Sequence, residues 1–151
     1  MAYRKILVPV DGSPTSNAGL REAIDIAKGQ RASVQLVHVV DYHYLVMTGL
    51  EAGAYIDDLM ASLTQSGRRI LKRAEALVRK SGVPASTILL ESPVGPAADS
   101  IVRQAKKWKA DLIVIGTHGR RGVRRILMGS DAEQIVRNSP VPVMLVRSPG
   151  R

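Results

Sequence analysis

Short apolar runs alternate with longer segments of helical periodicity along the whole chain. The runs are rich in valine, isoleucine and leucine, which is typical of parallel strands buried on both faces. Strands are predicted at residues 5–10, 33–40, 85–91, 111–116 and 141–146. In the longer segments, apolar residues recur at intervals of three and four, the spacing of an amphipathic helix. These segments predict helices at residues 14–28, about 53–81, about 95–108 and 130–138, and leave residues 41–52 irregular.

The first predicted helix carries its own start and stop signals. Ser13 is a plausible N-cap and Pro14 fits the first helical position, while Gly29 is expected to end the helix.

The order of these elements predicts the fold class. Strands and helices alternate, which favours a parallel α/β sheet with right-handed crossovers. We therefore expect one domain over residues 1–151: a doubly wound, open, five-stranded parallel sheet with helices on both faces, of the Rossmann-like type. Ligands of such sheets bind outside the carboxyl ends of the strands, where the strand order reverses. Functional residues are expected just after the first, second and fourth strands.

The amino-acid composition excludes several classes of protein and several kinds of functional site. The 151 residues include no cysteine, which excludes disulfides, thiolate metal sites and cysteine nucleophiles. No stretch approaches the roughly 18 apolar residues of a membrane span, and the strand pattern at the N-terminus leaves no room for a signal peptide. We expect a cytoplasmic protein without a membrane partner. The three histidines show no metal-ligand spacing, so no metal site built from protein side chains is predicted.

Charge is distributed unevenly along the chain. Twenty-two Lys and Arg against 13 Asp and Glu give a net charge of +9. Residues 1–60 have five basic and seven acidic residues, and residues 61–151 have 17 basic and six acidic residues. The basic half indicates either an anionic partner (nucleotide, nucleic acid or acidic protein) or a solvated surface that aids solubility. With aromatic residues at only 3%, we expect no specific nucleic-acid partner, and at most weak, salt-sensitive affinity.

A glycine- and arginine-rich segment follows the fourth predicted strand. Residues 116–130 contain four arginines and no acidic residue, and Gly116, Gly119 and Gly129 allow the backbone close to a ligand. Ser130 lies where the last helix begins, and free N–H groups at a helix start favour phosphate. The segment is therefore interpreted as a phosphate cradle. Three structural alternatives stay open: Gly116 simply ends a strand, Gly129 simply begins a helix, and Ser130 forms a capping box with Glu133.

The spacing Gly116, two residues, Gly119, nine residues, Gly129-Ser130 resembles the nucleotide-binding signature of the universal stress protein family. The resemblance extends to Ile-Leu-Val-Pro-Val-Asp-Gly-Ser from residue 6, to His-Val-Val from residue 38 and to Ser-Pro-Val-Pro-Val-Met-Leu-Val from residue 139. It points to the ATP-binding branch of the family. It implies ATP, or AMP or ADP, as ligand, with Mg²⁺ carried on the phosphates.

The resemblance also implies roles for individual residues. Asp11, with Pro9 and Val10 beside it, matches a carboxylate near the adenosine, although an aspartate in such a turn can instead bond its own backbone. Val39 matches a position that meets adenine, and it is also an ordinary strand valine. The remaining implied nucleotide-binding positions are Gly116, Thr117, His118, Gly119, Arg120, Gly129, Ser130 and Asp131. Asp131 departs from the apolar residue of some members, and we expect its carboxylate to point away from the phosphates.

The expected function is that of a nucleotide-dependent sensor or switch in a stress response, and no catalytic residues are predicted. Two alternatives stay open: an anion-binding or interaction module that uses the basic half, and a slow ATPase. The resemblance implies a homodimer in which the last strand, Val141–Val146, pairs with a second copy. A further protein partner is expected but not identified. His38 is interpreted as a structural strand histidine.

Overall fold

The computed structural model describes residues 2–42, 53–92, 95–117 and 129–148. Within these residues the chain forms five strands and four helices that alternate in sequence. In chain order they are β1 (Lys5–Pro9), α1 (Pro14–Gln30), β2 (Ser33–Asp41), α2 (Gly53–Lys80), β3 (Ala85–Ser92), α3 (Ala97–Trp108), β4 (Leu112–Gly116), α4 (Ser130–Asn138) and β5 (Val143–Val146).

The strands form one parallel sheet in the order β3-β2-β1-β4-β5. The chain builds outward from β1 through β2 to β3, and then crosses back to place β4 on the other side of β1. The strand order therefore reverses between β1 and β4, where Ile6 pairs with Leu112 and Leu7 with Ile113. This is the predicted doubly wound fold, and its reversal point makes the carboxyl ends of β1 and β4 the expected ligand site.

Two apolar layers cover the sheet, one on each face. Ile6 and Val8 of β1 pack against α1 and α2, whereas Leu7 packs against α3 and α4. All three side chains are fully buried. Because successive strand residues point to opposite faces, a strand between two helical layers must be apolar throughout. The same requirement accounts for the uninterrupted apolar runs in the sequence.

Element boundaries differ from the predictions where local hydrogen bonding decides them. Gly29 does not end α1; the helix continues to Gln30, and Arg31 takes the left-handed conformation at φ 55° while its N–H donates to the carbonyl of Ala27. Ser13 is the N-cap as predicted, because its side chain accepts the N–H of Ser16.

The last strand is shorter than predicted. β5 begins at Val143 rather than at residue 141. The N–H of Val141 donates to Ser139 Oγ at 3.1 Å, and Pro142 has no N–H to donate to a neighbouring strand.

The fourth strand also starts later, at Leu112 instead of residue 111. The Asp111 carboxylate accepts the backbone N–H groups of Arg4 and Lys5 at 2.8 and 2.9 Å. Asp111 therefore joins the start of β4 to the start of β1.

Candidate functional site

Three hydrogen bonds among Asp11, Ser13 and Ser16 hold the turn between β1 and α1. Asp11 Oδ1 accepts the N–H of Ser13 at 2.8 Å, and the N–H of Asp11 donates to Ser16 Oγ at 3.1 Å. Ser13 Oγ in turn accepts the N–H of Ser16 at 3.2 Å. Asp11 thus takes the backbone-bonding role that the sequence left as an alternative. A carboxylate has two oxygens with several acceptor positions, so this bond does not exhaust its capacity to accept from a ligand.

Three hydroxyl side chains cluster in this turn and in the first turn of α1. Ser13, Thr15 and Ser16 are all buried, and the oxygens of Ser13 and Thr15 lie 3.4 Å apart. The positive end of the helix dipole lies here. Thr15 and Ser16 were not among the predicted site residues. The run Ser13-Pro14-Thr15-Ser16 was the signal that could have pointed to them.

Gly116 brings the end of β4 directly against this first turn. A Cβ at Gly116 would lie 2.5 Å from the carbonyl oxygen of Thr15 and 2.9 Å from the backbone nitrogen of Ser16. Gly19, one turn further along α1, also faces Gly116: its Cβ would lie 3.2 Å from the Gly116 nitrogen. The two backbones therefore meet with no side chain between them. Gly116 does more than end a strand, because any larger residue would push α1 away from β4.

Thr117 links the end of β4 to the start of α4. The N–H of Gly129 donates to the carbonyl of Thr117 at 2.7 Å, and the N–H of Thr117 donates to the carbonyl of Val146 at 3.0 Å. These bonds place Gly129 and Ser130 at the same edge of the sheet as Gly116. His118, Gly119 and Arg120, the other predicted residues of this segment, lie outside the described residues.

The N-terminus of α4 is not capped by a side chain. Its N-cap residue is Gly129, and Ser130 is the first helical residue and is exposed. The capping-box alternative is therefore wrong: a box would need Ser130 at the N-cap position. Glu133 Oε1 instead accepts from the Arg137 guanidinium at 2.9 Å. Asp131 lies exposed in the first turn, and the direction of its carboxylate relative to a bound phosphate stays a prediction.

The predicted residues of β1 and β2 line the same end of the sheet from the other side. Val10 is buried in the layer formed by α1 and α2, and its N–H donates to the carbonyl of Val37 at 2.8 Å. Val39 is half-buried against the layer formed by α3 and α4. Pro9, at the end of β1, pairs with Val37. The side chains of Val10 and Val39 therefore lie on opposite faces of the sheet.

His38 has the structural role that the sequence predicted. Its Nδ1 lies 2.7 Å from the carbonyl oxygen of Val10, and the ring donates there when Nδ1 carries the proton. Gly67 of α2 makes room for the ring, since a Cβ at that position would lie 2.6 Å from His38 Cδ2. The histidine thus joins the end of β1 to α2.

The structure brings the described site residues to one edge of the sheet around its reversal point. Backbone N–H groups, hydroxyls and one carboxylate lie at the carboxyl ends of β1 and β4, the region called here the crevice. No group of three or more metal-ligating side chains occurs within the described residues. Across the same described ranges, no helix is long and apolar enough to cross a membrane.

Similarity to known proteins extends over nearly the whole chain. Residues 2–147 match the family model described as Universal stress protein family. The chain is 40% identical over 147 residues to Universal stress protein MJ0531 of Methanocaldococcus jannaschii, covering 97% of this chain and 84% of that protein.

Among solved structures, it is similar to universal stress protein UspA from Lactobacillus plantarum, with a TM-score of 0.83, 26% identity and coverage of 97% of this chain and 99% of the other. It is also similar to a universal stress protein from Archaeoglobus fulgidus in complex with dAMP, with a TM-score of 0.67, 26% identity and coverage of 97% and 99%.

Proposed function

Because the chain belongs to the universal stress protein family, we propose that it binds ATP or a related adenine nucleotide at the carboxyl ends of β1, β2 and β4. In this proposal the nucleotide switches the surface that the protein presents to a partner during a stress response. The observation that carries it is the contact of Gly116 with the first turn of α1 at the reversal point of the sheet. The relative from Archaeoglobus fulgidus that holds dAMP supports an adenine nucleotide as the ligand.

Each part of the nucleotide has a chemically suitable group in the crevice. The Asp11 carboxylate suits ribose hydroxyls as a hydrogen-bond acceptor, and the half-buried apolar side chain of Val39 suits the face of adenine. The uncapped N–H groups at the start of α4, next to Gly129 and Ser130, suit a phosphate. We propose that His118, Gly119 and Arg120 complete the phosphate site, and that any Mg²⁺ arrives with the phosphates rather than on protein ligands.

The direct test is isothermal titration of nucleotide-free protein with Mg-ATP. We expect Gly119→Val to abolish binding, because a β-branched side chain restricts the backbone and blocks the close approach of a phosphate. Gly29→Val is the matched control: the same change is made at a helical glycine whose Cβ would meet nothing within 4 Å. Equal ATP affinity in the parent protein and in Gly119→Val would show that the loop assignment is wrong.

We also propose a homodimer in which β5 pairs antiparallel with β5 of a second copy, in the cytoplasm. Within the described residues β5 pairs on one side only, with β4, and Leu145 of this edge strand is an exposed apolar residue. An unpaired apolar strand edge favours association. Sedimentation at micromolar concentration tests the proposal. The chain has a mass of 16.3 kDa, and we expect a species of twice that mass; a species of 16.3 kDa would contradict the proposal.

A further inference from the structure

The outer surface of the C-terminal half of α2 carries a ridge of basic side chains, called here the α2 ridge. It consists of Arg68, Arg69, Lys72, Arg73, Arg79 and Lys80, and all six are exposed. The helix packs on the sheet through the opposite face, where Leu71, Ala74 and Val78 are buried. The ridge therefore faces away from the sheet.

Hardly any of this charge is neutralised by acidic side chains. Glu75 is the only acidic residue from 59 to 80, and it pairs with Arg79 at 2.9 Å. In the part of the chain that the structure describes, no salt bridge involves Arg68, Arg69, Lys72, Arg73 or Lys80. Five positive charges thus stand together in solvent over about three turns of helix.

Helix physics alone does not account for the ridge. The negative end of the helix dipole favours basic residues only in the last turn, which covers Arg79 and Lys80. The other four form two like-charge pairs at a spacing of four residues, Arg68 with Lys72 and Arg69 with Arg73. Such pairs repel and weaken a helix. An anionic partner on the ridge would remove this repulsion.

We propose that the α2 ridge binds the phosphate backbone of double-stranded nucleic acid without reading its sequence. The ridge is about 18 Å long at 1.5 Å per residue, and a duplex offers about ten phosphate charges over that length. Four of the six side chains are arginines, whose forked donors match phosphate oxygens.

Two features of the helix favour a duplex over other anionic partners. Residues 68–80 include no aromatic side chain on which the bases of a single strand could stack. Along residues 68–80 Leu77 is the only exposed large apolar side chain, so this part of α2 has no continuous apolar face to insert into a lipid surface. The inference does not depend on nucleotide binding in the crevice, and its test uses nucleotide-free protein.

The test measures the anisotropy of a labelled duplex of mixed sequence, about 20 base pairs long, between about 50 and 200 mM KCl. Five phosphate contacts predict that log Kobs falls with log salt at a slope of about −4.5, which is roughly a 500-fold loss of affinity over that range. Arg69→Gln/Arg73→Gln removes two contacts and is expected to bring the slope to about −2.7.

The matched control is Lys106→Gln/Lys107→Gln on α3, which makes the same change in net charge at two exposed residues on the other face of the sheet. The control is expected to keep the slope of the parent protein, and thermal melts confirm that both variants are folded.

The proposal is overturned if both variants lower the slope equally, or if Arg124→Gln/Arg125→Gln in the glycine-rich segment lowers it instead. Equal affinity for a single strand, or for polyglutamate of the same charge, overturns the assignment to duplex nucleic acid.

Discussion

Substitution of Gly116 by alanine tests the contact on which the crevice depends. The added Cβ would lie 2.5 Å from the Thr15 carbonyl oxygen and 2.6 Å from its carbonyl carbon, whereas ordinary contact begins at 3.4 Å. Both atoms belong to the backbone of α1, so no side-chain rotation can relieve the overlap. The first turn of α1 must therefore move by about 0.9 Å, the difference between 3.4 and 2.5 Å.

Overpacking of this kind costs about 1–3 kcal/mol, and we expect the upper part of that range because only backbone can yield. For a domain of this size, each kcal/mol lowers the melting temperature by about 2–4 °C, so Gly116→Ala should melt roughly 4–12 °C below the parent. We also expect at least a tenfold loss of ATP affinity, because the hydroxyls and N–H groups of that turn move with the helix.

Thermal unfolding and titration with Mg-ATP measure the two effects on the same protein. Gly29→Ala is the control: its Cβ would meet nothing within 4 Å, and alanine in a helix is favoured over glycine by about 0.5–1 kcal/mol. The control should melt at or above the parent temperature. A Gly116→Ala protein that melts within about 1 °C of the parent and binds ATP equally would refute the reasoning.

Three further predictions concern stability and are measured by urea denaturation. Ser13→Ala removes the N-cap of α1 and should lower the free energy of unfolding by about 1 kcal/mol; no change would show that the cap is dispensable. Asp111→Ala leaves the N–H groups of Arg4 and Lys5 without their acceptor and should cost about 1–3 kcal/mol, whereas a cost below about 0.5 kcal/mol would contradict the bonding. Arg31→Gly relieves a left-handed residue at φ 55° and should stabilise the protein by about 1 kcal/mol; destabilisation would mean that the arginine side chain matters more than its backbone.

The fold class was predictable because strands that are buried on both faces of the sheet appear in the sequence as continuous apolar runs. Strands such as Ile6–Val8 must be apolar at every position, and the alternation of such runs with helical segments leaves few topologies. The N-cap at Ser13 was also predictable from the sequence, because capping depends on a few neighbouring residues.

The predicted helix boundaries were wrong where one particular hydrogen bond decides the end of the helix. Gly29 looked like a stop signal, but the left-handed position fell on Arg31, two residues later. Ser130 fitted a capping box by spacing, yet the N-cap position falls on Gly129. In each case the predicted helix end was off by one or two residues, a distance that local pattern alone does not determine.

The place of the candidate site in the fold was predictable, but the contacts within it were not. Asp11 and Gly116 were picked out as site residues, since carboxyl ends of strands and glycine-rich segments carry ligand sites. The meeting of Gly116 with Thr15 joins two segments about 100 residues apart in sequence, so it depends on how α1 packs on β4. That packing is also what places the hydroxyls of Thr15 and Ser16 next to the crevice.

The central claim is an adenine-specific site in the crevice between β1 and β4, and a thermal melt of nucleotide-free protein with Mg-ATP, Mg-GTP or no ligand tests it most directly. A ligand at a hundred times its dissociation constant adds about 2.7 kcal/mol to the free energy of unfolding. We predict a rise of roughly 5–10 °C in the melting temperature with ATP and little change with GTP. An unchanged melting temperature with ATP, or an equal rise with GTP, would contradict the claim.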